Sequence, residues 1–165
     1  MKVVILCGGE GTRLREKTET IPKPMVTIGH RAILWHIMKI YSAFGFNEFV
    51  LALGYKSNVI KQYFLNYGTI DGDFTLNLDR QSEIVFHDQK KVENWKITFA
   101  DTGEDAMTGA RVARVARYVE GNTFLLTYGD GVADINLKAL VDFHKAHGRI
   151  GTIAGVHAPS RFGKI

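Results

Sequence analysis

Val3-Val4-Ile5-Leu6-Cys7-Gly8-Gly9-Glu10-Gly11-Thr12-Arg13 decides how the rest of the chain is read. An apolar strand over residues 2–6 empties into a glycine-rich turn carrying Thr12 and Arg13. Ten residues after Arg13 stands Lys23, held between Pro22 and Pro24. Glycine lets backbone N–H groups approach an anion closely, and two fixed cations then neutralise its charge. The turn therefore reads as a cradle for a polyphosphate, most economically that of a nucleoside triphosphate.

Apolar runs and helical periods alternate outward from that first strand. Ile33, Leu34, Ile37, Tyr41 and Phe44 share one helical face, and Glu48-Phe49-Val50-Leu51-Ala52-Leu53 is a second strand stopped by Gly54. Val59, Ile60, Tyr63, Phe64 and Tyr67 line a second amphipathic helix. This βαβ alternation predicts a parallel sheet with right-handed crossovers. Between residues 68 and 101, short alternating runs at 74–78, 84–87 and 96–99 predict a small, partly antiparallel β insertion. The rhythm then resumes with a helix through Val112, Val115, Ala116 and Val119 and a buried strand over residues 124–128. A helix through Leu137, Leu140, Val141 and His144 follows, then a last strand over residues 150–156. The expected fold class is α/β, with a mixed, mostly parallel sheet flanked by helices. No repeat or linker divides residues 1–165, so a single domain is expected.

Composition narrows the function classes. At 165 residues and 45% apolar content the chain can fill one core. Cys7 is the single cysteine, which excludes an internal disulfide framework and fits a reducing, cytoplasmic setting. The formal charge of +4 comes from Lys and Arg scattered among Asp and Glu, so no nucleic-acid face is expected. No run of about 18 apolar residues predicts a membrane span. The glycine turn also arrives too early for a secretory leader.

Two familiar phosphate loops fail on spacing. A P-loop needs Lys-Ser or Lys-Thr directly after its last glycine, where Thr12-Arg13 stands. The dinucleotide fingerprint needs glycine where Leu14 stands. What remains is Gly-Gly-x-Gly-Thr-Arg followed by Pro22-Lys23-Pro24-Met25. Further blocks are Ile33-Leu34-Trp35-His36-Ile37-Met38-Lys39, Gly54-Tyr55-Lys56, Asp101-Thr102-Gly103, Met107-Thr108-Gly109 with Arg111, and Thr127-Tyr128-Gly129-Asp130-Gly131. On these motifs the chain resembles the sugar-1-phosphate nucleotidyltransferases over essentially its whole length.

The resemblance implies a Rossmann-like nucleotidyltransferase fold, Mg²⁺ as cofactor and a homo-oligomeric assembly. The less general blocks are similar to the branch that moves a cytidylyl group from CTP to glucose 1-phosphate. Thymidylyl or uridylyl transfer, or nucleotide binding without turnover, are the alternatives. Residues 161–165 would enter the family's sugar-binding half, so the chain is expected to hold the nucleotide half with the sugar half missing. The backbone of Leu6, Cys7, Gly8, Gly9, Glu10, Gly11 and Thr12 is implied to bind phosphate and base. Cys7 stands where the family usually has alanine and reads as a small buried residue.

The chemistry of such a transfer fits the side chains. A sugar phosphate oxygen attacks the α-phosphorus in line with departing pyrophosphate, so positioning and charge neutralisation carry the reaction. Arg13 has a planar fork suited to the β- and γ-phosphates, and Lys23 is a compact charge for the α-phosphate. As isolated residues the same two cations would read as solvated surface charges. Asp130, at the carboxyl edge of a strand between Gly129 and Gly131, reads from geometry either as a Mg²⁺ anchor or as a turn aspartate bound to local amides, and the resemblance implies the Mg²⁺ anchor. Thr108 and the amides around Gly109 are placed near the base. Arg111 lies in the first helical turn, where a cation opposes the helix dipole; sequence alone reads it as ligand-facing or solvated, and the resemblance implies a nucleotide contact.

Other candidates read as structural. Arg114 and Arg117 form a solvated helix face, and Trp35 with Phe44 and Phe46 reads as core. Asp134 precedes Asn136 as a loop or capping residue. His144 and His147 are three apart on a helix, but no third metal ligand accompanies them.

Overall fold

The structure is a computed structural model that describes residues 1–9, 21–70, 72–80, 83–87, 93–119 and 121–155. The chain divides into two compact units, residues 1–132 and 133–165. Among the described residues no helix is long and apolar enough to cross a membrane.

The first unit is built on a four-stranded sheet of β1 (Val3–Cys7), β4 (Glu48–Leu53), β7 (Lys96–Asp101) and β8 (Leu125–Tyr128), in the order β7-β4-β1-β8. Every neighbouring pair is parallel. The central strands β1 and β4 are buried on both faces, which is why they read as unbroken apolar runs. Successive side chains point to opposite faces of a strand and so divide the core. Val3, Ile5 and Cys7 pack with Leu34, Ile37 and Met38 of helix α1 (Ile33–Ala43) and Ile60 of helix α2 (Ser57–Leu65). Val4, Leu6, Val50 and Ala52 pack with Val115 and Val119 on the other side. Helix α3 is the single turn Tyr67–Ile70, and α4 runs over Thr108–Val119. The result is an α/β fold with a parallel sheet flanked by helices, as expected.

The β insertion is smaller than the sequence predicts. It consists of the antiparallel hairpin β5 (Phe74–Leu76) and β6 (Ile84–Phe86), which pairs Phe74 with Phe86 and Leu76 with Ile84. The run over residues 96–99 does not belong to it. It extends to Asp101 as β7 and pairs along β4 from Glu48↔Lys96 to Leu53↔Asp101. Ile97 and Phe99 pack on one core cluster and Ala100 on the other, so its alternation serves the main sheet. Strand β8 is less buried than expected. Among the described residues it pairs with β1 alone, and its side chains alternate between half-buried and exposed. A short ribbon, β2 (Thr27–Ile28) and β3 (Arg31–Ala32), leads into α1.

In the second unit, helix α5 (Leu137–His147) starts where the Asn136 side chain accepts from the Ala139 amide at 3.0 Å. It ends at Gly148, whose φ of 61° is the left-handed closure that glycine permits. His144 Nδ1 and His147 Nε2 both meet the Thr152 hydroxyl, at 2.9 and 2.7 Å. Among the described residues no group of three or more His, Cys, Asp or Glu could hold a metal. The final strand expected over residues 150–156 is not formed in 150–155, and Val156 lies outside the described residues. Ile150 and Ile153 are exposed there, and among the described residues no ladder partner takes up this backbone.

Candidate active site

Strand β1 ends at Cys7, and the chain leaves the sheet at Gly8 and Gly9. A cavity of about 300 Å³ opens at this carboxyl edge, where open α/β sheets bind ligands. Leu6, Cys7, Gly8, Gly9, Lys23, Thr108, Arg111 and Asp130 all line it, so one space collects candidates from four separated stretches of sequence. Gly129 is buried behind the wall, its N–H donating to the Leu6 carbonyl at 3.0 Å. Gly109 lies in the first turn of α4 but is not part of the lining. Glu10, Gly11, Thr12 and Arg13 lie outside the described residues.

Lys23 and Asp130 face each other. Their Nζ and Oδ2 atoms are 3.6 Å apart, with 21% and 43% of the side chains exposed. Lys23 is placed by the 3₁₀ turn Lys23–Met25, in which the Met25 amide donates to Pro22 O and the Val26 amide to Lys23 O. Pro24 and Met25 are buried, which anchors the backbone while the ammonium reaches the cavity. Asp130 follows β8 and offers the cavity one carboxylate from the carboxyl edge of the sheet.

Asp130 is the carboxylate that the cavity offers to a metal. One carboxylate, with no imidazole cluster among the described residues, suits Mg²⁺ completed by water and phosphate oxygens rather than a dedicated protein cage. The Cys7 thiol does not alter that conclusion. Burial, with Asp130 nearby, pushes its pKa well above the ordinary range, so it stays a protonated core residue and not a soft ligand or nucleophile.

Arg111 is only 5% exposed, and its guanidinium is not solvated. Nη1 donates to Thr102 Oγ1 and Gly103 O at 2.7 Å and to Leu53 O at 3.2 Å. Nη2 donates to the Gly8 and Glu104 carbonyls at 2.8 Å. Burial lowers its pKa, and the neighbouring Arg114 adds to that. These carbonyls offset the unfavourable position at the start of α4. Arg114 is exposed, as expected, and its Nη1 also donates to the Thr102 carbonyl.

The guanidinium also explains two glycines that sequence alone assigns to phosphate approach or to a strand stop. A Cβ on Gly8 would lie 2.1 Å from Arg111 Nη1, and one on Gly54 would lie 2.4 Å from the same atom and 2.7 Å from Gly103 O. Gly54→Ala is therefore expected to destabilise the fold by about 2 kcal/mol or more through overpacking. Urea denaturation measures this, and a wild-type midpoint would contradict the packing described here.

Pro24, Ala106, Met107 and Tyr128 complete the lining and were not singled out from sequence as ligand contacts. Tyr128 is the most informative of them. It is 60% exposed at the carboxyl end of β8, one residue before Gly129-Asp130. Its period-two position opposite half-buried Thr127 was the available signal, hidden by reading the whole run as core. Thr108 opens α4, whose N-terminal amides and dipole favour an anion at the same cavity.

Comparison with known proteins gives the family. The family described as "Nucleotidyl transferase" matches residues 2–165. The chain is 52% identical over 166 residues to glucose-1-phosphate cytidylyltransferase of Salmonella typhimurium, covering 100% of this chain and 64% of the relative. It is 48% identical over 165 residues to the probable glucose-1-phosphate cytidylyltransferase of Bacillus subtilis, with the same two coverages. The chain thus spans 64% of the length of these curated relatives. Among solved structures, HddC from Yersinia pseudotuberculosis complexed with GMP-PN aligns with a TM-score of 0.64 at 26% identity, over 87% of this chain and 53% of that one. UTP-bound UGPase from Acinetobacter baumannii aligns at 0.67 and 19% identity, over 89% and 53%, a likeness of fold alone. The fold is the Rossmann-like α/β class expected from the sequence. With its family match running through both the glycine turn and the Asp130 edge, the chain belongs to the nucleotidyl transferase family.

Proposed function

We propose that the protein transfers a cytidylyl group from CTP to α-D-glucose 1-phosphate, giving CDP-glucose and pyrophosphate. The observation that carries this reading is the Lys23–Asp130 pair, 3.6 Å apart in a cavity walled by the glycine turn. An ammonium for phosphate and a carboxylate for a divalent cation are what phosphoryl-type transfer requires at one point. The choice of cytosine and glucose rests on the relatives at 52% and 48% identity.

In this reading the sugar phosphate oxygen forms a bond to the α-phosphorus as the bond to the β-phosphate oxygen breaks. Lys23 neutralises the α-phosphate, and Arg13 takes the β- and γ-phosphates. Backbone amides of Gly8 and Gly9, with Glu10, Gly11 and Thr12 beyond them, bind the nucleotide together with Thr108 at the α4 N-terminus. Asp130 would hold Mg²⁺, which when bound supplies further charge neutralisation to the polyphosphate. Buried Pro24 and Met25 fix the backbone from which Lys23 reaches the cavity.

Calorimetric titration with CTP, UTP and dTTP in Mg²⁺, followed by a pyrophosphate-release assay with glucose 1-phosphate, tests the proposal. CTP is expected to bind at least about tenfold more tightly than the other two, about 1.4 kcal/mol. Equal affinities would remove the base assignment. Tight CTP binding without pyrophosphate release would make the protein a nucleotide-binding module.

A further inference from the structure

The two facing charges of the cavity each have a chain neighbour at one crowded point. Asp130 follows Gly129, and Lys23 precedes Pro24. A Cβ on Gly129 would lie 2.9 Å from Cys7 Sγ, 3.1 Å from the Leu6 carbonyl oxygen and 3.1 Å from Pro24 Cγ. The end of β1, the Lys23–Met25 turn and the chain leaving β8 therefore meet around a residue with no side chain. Each wall is held from behind. The Gly129 amide donates to Leu6 O at 3.0 Å, which carries the parallel ladder one residue past Tyr128. Cys7 is 1% exposed and belongs to the core that α1 and α2 cover. Pro24 is buried in its 3₁₀ turn. An interior packed in this way transmits a displacement instead of absorbing it.

We propose that Cys7, Pro24 and Gly129 form a spacer that sets the separation of the Lys23 ammonium from the Asp130 carboxylate, with each of the three a positioning residue. The proposal rests on the nucleotide reading of the cavity and deepens it. Cys7 and Pro24 also line the cavity, but the contact that matters here is with Gly129 behind the wall. The bare Gly129 lets the proline ring approach, and the sulfur closes the remaining side. Lys23 and Asp130 are thereby held 3.6 Å apart, close enough for one phosphate and one cation to engage both. Leu6 O is fixed in the ladder, so a methyl added at Gly129 moves either the chain leading to Lys23 or the chain leading to Asp130. Either movement widens the pair.

A double-mutant cycle on Cys7 and Gly129 tests this, read by Mn²⁺ titration without nucleotide and by CTP calorimetry in Mg²⁺. Gly129→Ala is expected to weaken CTP binding about tenfold, because the two charges no longer meet one ligand. The same variant is expected to bind Mn²⁺ alone about threefold more tightly, because the ammonium no longer offsets the carboxylate. A general loss of stability does not move the two affinities in opposite directions. In Cys7→Ala/Gly129→Ala the sulfur no longer opposes the new methyl, and both affinities are expected to return most of the way to those of Cys7→Ala. Cys7→Val thickens the same contact from the strand side, and it replaces Gly129→Ala in the comparison if that variant does not fold. Wild-type affinities in a folded Gly129→Ala or Cys7→Val, or a fall in both affinities together, would overturn the spacer. So would an effect of Gly129→Ala that is unchanged when Cys7 is replaced by alanine. A wild type that binds neither CTP nor Mn²⁺ would instead overturn the nucleotide reading of the cavity.

Discussion

Asp130→Asn is expected to lower Mg²⁺-dependent turnover by about a thousandfold, roughly 4 kcal/mol of transition-state stabilisation. The substitution keeps the side chain's shape and removes its charge, so the loss reports the carboxylate's hold on a cation. The fold should not change. Asp130 is 43% exposed, and its ion pair with Lys23 is partly solvated, which limits that pair's contribution to about 1 kcal/mol or less. Manganese titration provides a readout independent of rate, and Asp130→Asn is expected to bind Mn²⁺ at least about tenfold more weakly. Near-normal turnover and Mn²⁺ affinity would return Asp130 to the turn-aspartate reading that the sequence left open.

Lys23→Met is expected to reduce kcat/KM by about a hundredfold or more, the cost of removing a cation aimed at developing charge. It carries a second, opposite consequence. In the free protein Lys23 Nζ lies 3.6 Å from Asp130, so each charge partly cancels the other before any ligand arrives. Removing the ammonium frees the carboxylate from an attraction of roughly 1 kcal/mol at the dielectric constant of water. Metal affinity without nucleotide should then rise about fivefold while activity collapses. A lysine serving only the stability of the Lys23–Met25 turn would leave metal affinity where it was. A fall in affinity would likewise remove the coupling between the two charges.

Much of this architecture is legible in the sequence, because the strongest signals are local. The apolar runs of β1 and β4 and the helical spacing through Leu34, Ile37 and Ile60 locate the central layers directly. Partner choice is less legible. Residues 96–99 look like the hairpin strands before them, and nothing in their spacing says that they pair with β4 instead. The expected strand over residues 150–156 has the right composition, but a strand exists only where a ladder takes its amides.

The site divides along the same line. Lys23 and Asp130 are readable because proline and glycine mark their turns, and they meet in one cavity. Arg111 is visible as a misplaced charge at a helix start, yet its role depends on carbonyls from Gly8, Leu53, Gly103 and Glu104. Those lie far apart in sequence, so the backbone contacts that bury the guanidinium against the solvated reading are not legible there, although Arg111 does line the cavity. The same contact gives Gly8 and Gly54 a steric reason that no motif contains.

A crystal structure grown with CTP and Mg²⁺ puts the proposed site to its most direct trial. The expected result is a triphosphate in the cavity beside Gly8 and Gly9, with Lys23 on phosphate oxygen, Asp130 on the cation, and their direct contact opened beyond 3.6 Å. A nucleotide bound elsewhere, with the Lys23–Asp130 pair intact and the cavity vacant, would contradict it.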